Sequence, residues 1–388
     1  MKSEIEVPEG WKFIKQSKVT DFYNGRAYKL AEWEKTGTPV IRLQNLTGTG
    51  KDYYYSNLQL PESQYVKDGD LLYMWSASFG PYIWKGPKAI YHYHIWKVEC
   101  SDDINKKFMY YHLANITQLL KRKMHGMAIL HITKSRMEKE KILLPPFEEQ
   151  QKIADILSKV DEQIDLTEKI IDKTEELKKG LMQKLLTKGI EHTKFKNTEF
   201  GEIPEEWEIG KLSDNVEINM GQSPNSASYN YEKNGMAFFQ GNSDFGDLYP
   251  TVKQYTTSPT KVATIGEVLL SVRAPVGEVN LCKEQCCIGR GLCSIKGECS
   301  NFIFYLLKFH KKDLKKLSTG STFTAVNKNS FDLLKVRFPS KDEQKQIATI
   351  LSKVDEHIQD NKKELTHLKE VKKGLMQDLL TGKVRVSV

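Results

Sequence analysis

No stretch of the 388 residues approaches the roughly 18 consecutive apolar positions that a membrane-crossing helix needs. The opening MKSEIEVPEG holds no apolar core of an export signal, so the chain is expected to be cytoplasmic, with no membrane partner. Cysteine is scarce: there are six, and five crowd together as Cys282, Cys286, Cys287, Cys293 and Cys299. That group contains no C-x2-C pair and no nearby histidine, so reduced cysteines in strands and loops are the leading reading and a zinc site the weaker one. His92-Tyr93-His94 would put two imidazoles on one side of a strand, but a third ligand is missing. Also lacking are a Gly-rich cofactor loop after a strand, a Walker A loop, and the NPPY or DPPY tetrapeptide of adenine methyltransferases. Glu343-Gln344-Lys345 has the E-x-K form of some metal-dependent nucleases, yet its counterpart Glu149-Gln150-Gln151 lacks the lysine. Both open a helical pattern, where acidic residues suit the dipole. The chain is therefore expected to have no catalytic residue, no resident cofactor and no metal site.

What is present is a duplication. ILSKVDE occurs at residues 156–162 and again at 350–356, 194 positions later, and the match extends over 145–187 against 339–381 with more than half of the positions identical. A period this long repeats a whole domain with its connector rather than one turn of a solenoid. Within the repeat, Ile153, Leu157, Val160 and Ile164, and likewise Ile347, Leu351, Val354 and Ile358, follow the 4,3,4 steps of a heptad. Such a seam lines one side of a helix and calls for a partner helix, for which the other copy is the evident candidate. Thr167, Thr174 and Asn361 interrupt it, either fixing register as buried polar residues or lying exposed. The remaining Ser, Lys, Asp and Glu of ILSKVDE are expected on the outer face. Forty helical residues would span about 60 Å. Proline precedes each helix (Pro145-Pro146, Phe338-Pro339), Gly189 or Gly382 follows it, and Gly180 and Gly374 sit inside it. A mid-helix glycine points to close approach, a kink, or inheritance from the ancestral copy.

The net charge is +8, but the two helical stretches together carry −4 and the rest of the chain +12. Positive charge in the globular parts suits a polyanion such as DNA, although a basic pI also serves solubility. Each half opens on a short motif, Pro8-Glu9-Gly10-Trp11 or Pro204-Glu205-Glu206-Trp207, continues as a divergent body of short strands with one helix (residues 108–123 and 302–317), and ends in the repeated helix. The expected organisation is a mixed α/β chain. A first body covers residues 1–147 and a helix 148–190; a second body covers 191–341 and a helix with tail 342–388. Conserved scaffold with divergent cargo suits recognition of two different things at a fixed separation; neutral drift of the bodies is the alternative.

Candidate DNA contacts follow from side-chain chemistry: Asn and Gln suit adenine, Arg suits guanine, and aromatics meet bases or sugars. In the first body these are Arg42, Gln44, Asn45, Lys51 and Tyr53, then Ser76, Ser78, Tyr82 and Lys85 in WSASFGPYIWK (residues 75–85), with basic residues 121–123 nearby. At least half of the aromatics there are expected in the core instead. In the second body they are Gln222, Ser223, Asn225, Gln240, Asn242, Arg273, Arg290, and Ser321 and Thr322 in STGSTFT (residues 318–324). The equivalent Lys134 and Lys328 read either as phosphate-positioning residues or as solvated lysines.

LPPFEEQQKIADILSKVDEQI and FPSKDEQKQIATILSKVDEHI, each after a variable body, resemble the conserved regions of type I restriction-modification specificity (S) subunits over essentially the whole chain. The resemblance implies a non-catalytic subunit with two target recognition domains, each reading one half of a split, asymmetric sequence in double-stranded DNA, separated by two long antiparallel coiled-coil helices. It further implies docking of two methyltransferase subunits that modify adenine N6 with S-adenosylmethionine. Two restriction/translocase subunits using ATP and Mg would join them. A coiled-coil DNA-binding scaffold without such partners is the alternative.

Overall fold

The computed structural model describes residues 6–76, 78–123, 132–319 and 325–387. Contacts divide the chain into two units, Met1–Glu168 with Glu364–Val388, and Lys169–Lys363. In chain order the first body contains β1 (Lys12–Lys15), β2 (Thr20–Asn24), β3 (Thr38–Ile41), α1 (Leu43–Thr47), β4 (Tyr54–Ser56), β5 (Tyr65–Val66), β6 (Leu71–Ser76), β7 (Ser78–Ile83), β8 (Ala89–Tyr91), β9 (Ile95–Cys100), α2 (Lys106–Lys123), α3 (Lys134–Lys139) and β10 (Lys141–Leu144). The long helix α4 (Phe147–Lys188) follows. The second body contains β11 (Phe195–Thr198), β12 (Gly201–Pro204), β13 (Glu208–Lys211), α5 (Leu212–Asn215), β14 (Val216–Met220), β15 (Tyr229–Asn230), β16 (Met236–Phe239), β17 (Gln254–Thr256), β18 (Val262–Ala263), β19 (Val268–Ser271), β20 (Val279–Leu281), β21 (Cys286–Ile288), β22 (Leu292–Gly297), α6 (Ser300–Phe309), α7 (Lys311–Thr319) and β23 (Lys335–Phe338). The second long helix is α8 (Lys341–Leu379).

The two bodies share one plan. An antiparallel sheet ordered β2-β9-β6-β7 in the first corresponds to β14-β22-β19-β20 in the second. A mixed sheet ordered β4-β3-β8-β5, with β3 and β8 parallel, corresponds to β17-β16-β21-β18, with β16 and β21 parallel and β15 added beside β17. The run Leu71-Leu72-Tyr73-Met74 is buried throughout, because successive side chains point to opposite faces and both faces are covered. Leu71 and Tyr73 meet α2 and the long helices, while Leu72 and Met74 meet the second sheet around Ile41, Trp84 and Tyr91. Val268, Leu269 and Leu270 repeat that alternation, and Cys282, Cys286 and Cys293 are ordinary buried members of the same cores. One expectation needs correcting: the single helix over residues 302–317 is broken at His310. Its imidazole lies 3.0 Å from Asp313, and its carbonyl accepts from the Asp313 amide.

Each unit is completed by halves of both long helices, running antiparallel. Residues 147–168 of α4 pack in the first unit with residues 364–379 of α8, and Leu157, Ile153, Met376 and Leu379 share one core with α2 and the sheet. In the second unit Ile347 and Leu351 of α8 share a core with Leu185 and Leu186 of α4. The heptad positions Ile164 and Ile358 are buried as well, and Val160 and Val354 are half-buried. Thr167, Thr174 and Asn361 satisfy their side chains on the helix's own carbonyls, at 2.8, 2.7 and 2.7 Å, so none bonds across the seam. Nor do Gly180 and Gly374 mark close approach, since a Cβ at either would meet nothing within 4 Å.

Of the polar residues of ILSKVDE, the Lys and Glu of both copies are exposed, but the Asp is not left outside. Asp355, 6% exposed, accepts from the Tyr305 hydroxyl of α6 at 2.8 Å and from the Lys178 ammonium of α4. Asp161 does the same with Tyr111 of α2, at 2.8 Å, and Lys372 of α8. Ile350, by contrast, is exposed. The entry motifs anchor the start of each helix: Trp11 donates its indole N–H to Glu149 at 3.0 Å, and Trp207 donates its own to Glu343 at 2.9 Å. The apparent E-x-K is therefore part of a structural clamp, in which Glu343 also accepts the Ile190 amide at 2.9 Å.

Removing Asp355 strands the Lys178 ammonium, whose side chain is 16% exposed, so Asp355→Ala is expected to cost about 3 kcal/mol in urea unfolding, the low end for a buried pair. Lys369→Ala breaks a half-exposed pair with Glu168 and should cost under about 1 kcal/mol. Equal losses would contradict the clamp. Burial opposes ionisation of Glu149, but the Arg385 guanidinium, the Trp11 indole and the Val386 amide outweigh it and hold the carboxyl below its ordinary 4.5. A group depressed on folding stabilises above its unfolded pKa and loses that contribution as pH falls through the folded value. Glu149→Gln should therefore lower stability at pH 7 and flatten the loss on acidification below 4.5, read by thermal melts across pH.

Candidate nucleic-acid interface

In the second unit four backbone segments converge where strands end. Gly221-Gln222-Ser223 leaves β14, Gln240-Gly241-Asn242 leaves β16, Val272-Arg273 leaves β19, and Gly289-Arg290-Gly291 joins β21 to β22. They are stitched by main-chain bonds: Gln222 N to Ile288 O (3.0 Å), Gly289 N to Phe239 O (2.8 Å), Gly291 N to Gln240 O (3.2 Å) and Val272 N to Gly291 O (2.9 Å). Ser223 Oγ donates to Gln240 Oε1 at 3.0 Å and accepts from the Arg290 amide at 3.3 Å. The glycines are required by this crossing. A Cβ on Gly221 would strike the Gly289 carbonyl and come within 2.7 Å of the Leu292 carbonyl, and one on Gly291 would come within 2.5 Å of the Gln240 carbonyl. Gln222, Gln240, Arg273 and Arg290 stand exposed on this rim.

Three further sequence candidates lie beside it. Asn225 caps a short turn by accepting the Ala227 amide at 3.0 Å, Asn242 opens another turn, and Lys328 is exposed two residues beyond Val326, whose amide bonds to Val272 O at 2.8 Å. Ser321 and Thr322 lie outside the described residues.

The first unit builds the same crossing with other residues. Gly25 packs against the Tyr91 and His92 carbonyls as Gly221 does against Gly289. His92 N bonds to Ile41 O at 2.9 Å, Tyr93 N to Arg26 O at 3.0 Å and Trp75 N to His94 O at 3.2 Å. The Trp75 indole donates to Tyr93 O at 2.8 Å. Arg42 begins α1 and lies over the Tyr54 ring at 4.1 Å, with its guanidinium donating to Asp52 O at 3.2 Å. Asn45 accepts the Arg42 amide on its Oδ1 at 2.9 Å and donates to Gly50 O and Asp52 O, so its amide organises the 42–52 loop that displays Lys51. Gln44 is half-buried in that loop. Ser76 and Ser78 pair across the β6–β7 turn at the rim. Lys134 is held 3.5 Å from Glu138, two residues after Ile132, whose amide bonds to Trp75 O at 3.0 Å.

Tyr53, Tyr82 and Lys85 are not on the rim. Tyr53 and Tyr82 pack against the core between the sheets. Tyr82 and Lys85 line a cleft of about 830 Å³ with Tyr110, Asp161 and Lys372, past the far end of β7. Of the aromatics in residues 75–85, Trp84 alone is fully buried, while Trp75, Phe79 and Tyr82 are half-buried.

The residues missed by sequence reasoning are Arg26 and the turn His92-Tyr93-His94. Their signal was internal alignment: AIY before this turn occupies the place of CCI before Gly289-Arg290-Gly291, in matching sheet positions. Burial, aided by the nearby His94 and Arg42, pushes His92 down to about 4, and burial also lowers His94. Neutral imidazoles there can both donate and accept hydrogen bonds.

Comparison with known proteins assigns the family. The family model for the type I restriction modification DNA specificity domain matches twice, over residues 8–176 and 204–370. The chain belongs to this family and carries its domain in two copies. It is 34% identical to the putative type I restriction enzyme MjaX specificity subunit of Methanocaldococcus jannaschii, over 99% of this chain and 96% of that one. The type I restriction enzyme MjaVIII specificity subunit of the same organism is 30% identical, over 98% and 95%. In fold, the chain is similar to the type I restriction-modification S subunit from M. genitalium, with TM-score 0.64 at 15% identity and 98% of both chains covered. A chain from a structure describing assembly and conformational transition of the type I R-M system gives 0.62 at 24% identity, covering 98% of this chain and 100% of that one.

Because the Gly221 Cβ would collide with backbone rather than with a flexible side chain, Gly221→Ala should displace the rim turn, costing about 1–3 kcal/mol. It should also weaken DNA binding by the second unit. Unchanged melting and unchanged binding would show that the crossing is not rigid.

Proposed function

We propose that this chain is the DNA sequence-specificity subunit of a type I restriction-modification complex, reading a bipartite, asymmetric target in double-stranded DNA. The observation that carries the reading is one crossing of strands built twice, on the same scaffold, with unlike side chains on its rim: Arg26, Trp75 and Tyr93 in one unit, Gln240, Arg273 and Arg290 in the other. Equivalent frames place their readers alike, and different side chains select different bases. The recognition bodies are residues 1–147 and 191–341, with the helices 148–190 and 342–388 setting the spacing between half-sites. Lys134 and Lys328 hold phosphates.

The subunit itself is non-catalytic and acts in the cytoplasm. Its partners are two methyltransferase subunits, which use S-adenosylmethionine to modify adenine N6, and two restriction/translocase subunits, which use ATP and Mg. The nearly twofold repetition of the helices supports docking of two like partners.

Co-expression with the cognate methyltransferase should yield adenine methylation at one split motif, detected by methylome sequencing. Exchange of residues 1–145 with those of another family member should alter one half of the motif and leave the other. Methylation without a split motif, or none at all, would overturn the reading.

A further inference from the structure

Arg273 and Arg290 lie on neighbouring segments of the rim. The β19–β22 ladder pairs Leu270 with Cys293 and Ser271 with Leu292, and the Val272 amide bonds to Gly291 O one step further, where the chain turns with the Leu292 amide on Gly289 O at 2.9 Å. Both are exposed, and among the described residues neither guanidinium has an ion pair or hydrogen bond. Arg136 is exposed without such a partner as well, while four others are engaged. Arg26 is paired with Glu32, Arg42 with the Asp52 carbonyl and Tyr54, Arg337 with the Phe200 carbonyl, and Arg385 with Glu149.

The turn that carries Arg290 is also the most constrained part of the rim. Glycine is needed after it, because a Cβ at Gly291 would come within 2.5 Å of the Gln240 carbonyl, and the Arg290 amide is tied to Ser223. The guanidinium thus extends from a fixed backbone point with its fork unused. Its counterpart in the first unit is Tyr93, and that of Arg273 is Ser76, since Trp75 N bonds to His94 O in the same register. The first unit has no partner-free arginine at either position.

Resting on the reading of the rims as DNA readers, we propose that Arg290 is a specificity-determining residue that recognises guanine in the half-site of the second unit, with Arg273 beside it adding charge. Arginine matches the paired O6 and N7 acceptors of guanine in the major groove, whereas tyrosine and serine do not. The guanine read this way belongs to one half of the target only.

The test uses the full chain assembled with its methyltransferase subunits. Residue 1–145 exchange first identifies which half-site belongs to the second unit. Oligonucleotides carrying 7-deazaguanine, which removes N7, at each guanine of that half are then compared in binding assays. One position is expected to lose about tenfold in affinity with the wild-type complex and to lose nothing further with Arg290→Ala. Methylomes of Arg290→Ala and Arg290→Gln should keep the other half and the spacer while the guanine becomes degenerate or shifts toward adenine. A second-unit half-site without guanine, or 7-deazaguanine tolerated throughout it, overturns the proposal. So does Arg290→Ala lowering methylation uniformly with the motif unchanged, the mark of a phosphate contact. Absence of any split motif in the wild type fails the underlying reading instead. Because the modified-DNA arm uses the wild-type protein, poor folding of a variant does not remove the test.

Discussion

The carboxylate of the repeated ILSKVDE is the point on which three helices meet in each unit. Asp161 joins α4 to Tyr111 of α2 and Lys372 of α8; Asp355 joins α8 to Tyr305 of α6 and Lys178 of α4. A heptad seam alone tolerates sliding by a heptad and rotation of what is attached to it. A partly buried ion pair with a third, hydroxyl partner resists both, because any shift leaves a charge without its counter-ion. Orientation of each body on its helices therefore follows from a polar contact rather than from apolar area, and the rim, at the strand ends of that body, inherits the orientation.

The same logic applies one turn from each helix start. Glu149 and Glu343 use the first turn, where a carboxylate already suits the dipole, to hold an indole from the entry motif. The body is thus gripped at its opening tryptophan and again at its helix tyrosine. Two separated anchors fix a rigid body better than one, and both are preserved across the duplication while the rims have diverged.

Much of this was legible in the sequence where a feature was local or duplicated. The seam through Ile153, Leu157, Ile347 and Leu351 declares itself by spacing, and the family follows from two copies of one motif in one order. Placement of Asp161 and Asp355 was not legible, because a charged residue in a heptad reads as solvated until the body that covers it is known. Neither was the break at His310, whose carbonyl takes the Asp313 and Leu314 amides of the next helix while its imidazole meets the Asp313 side chain. On the rim, Gln240, Arg273 and Arg290 could be named by chemistry, but their convergence depends on contacts between strands some 20 to 70 residues apart. Asn45 chose its role by local geometry: a short amide near its own backbone closes a cap. His92-Tyr93-His94 was overlooked because it was weighed as a ligand set rather than as the twin of another turn.

Gly25 and Gly221 occupy matching places, each where a Cβ would collide with the turn beneath it. Whatever a rim displays, that crossing of two backbones must survive, so the lineage can vary its alphabet but not the frame on which the letters are set. On the proposed reading, a mutation at the glycine removes the reader altogether, whereas one at Tyr93 or Arg290 edits a single character. A change of rim side chain then alters specificity without the fold beneath having to be solved again.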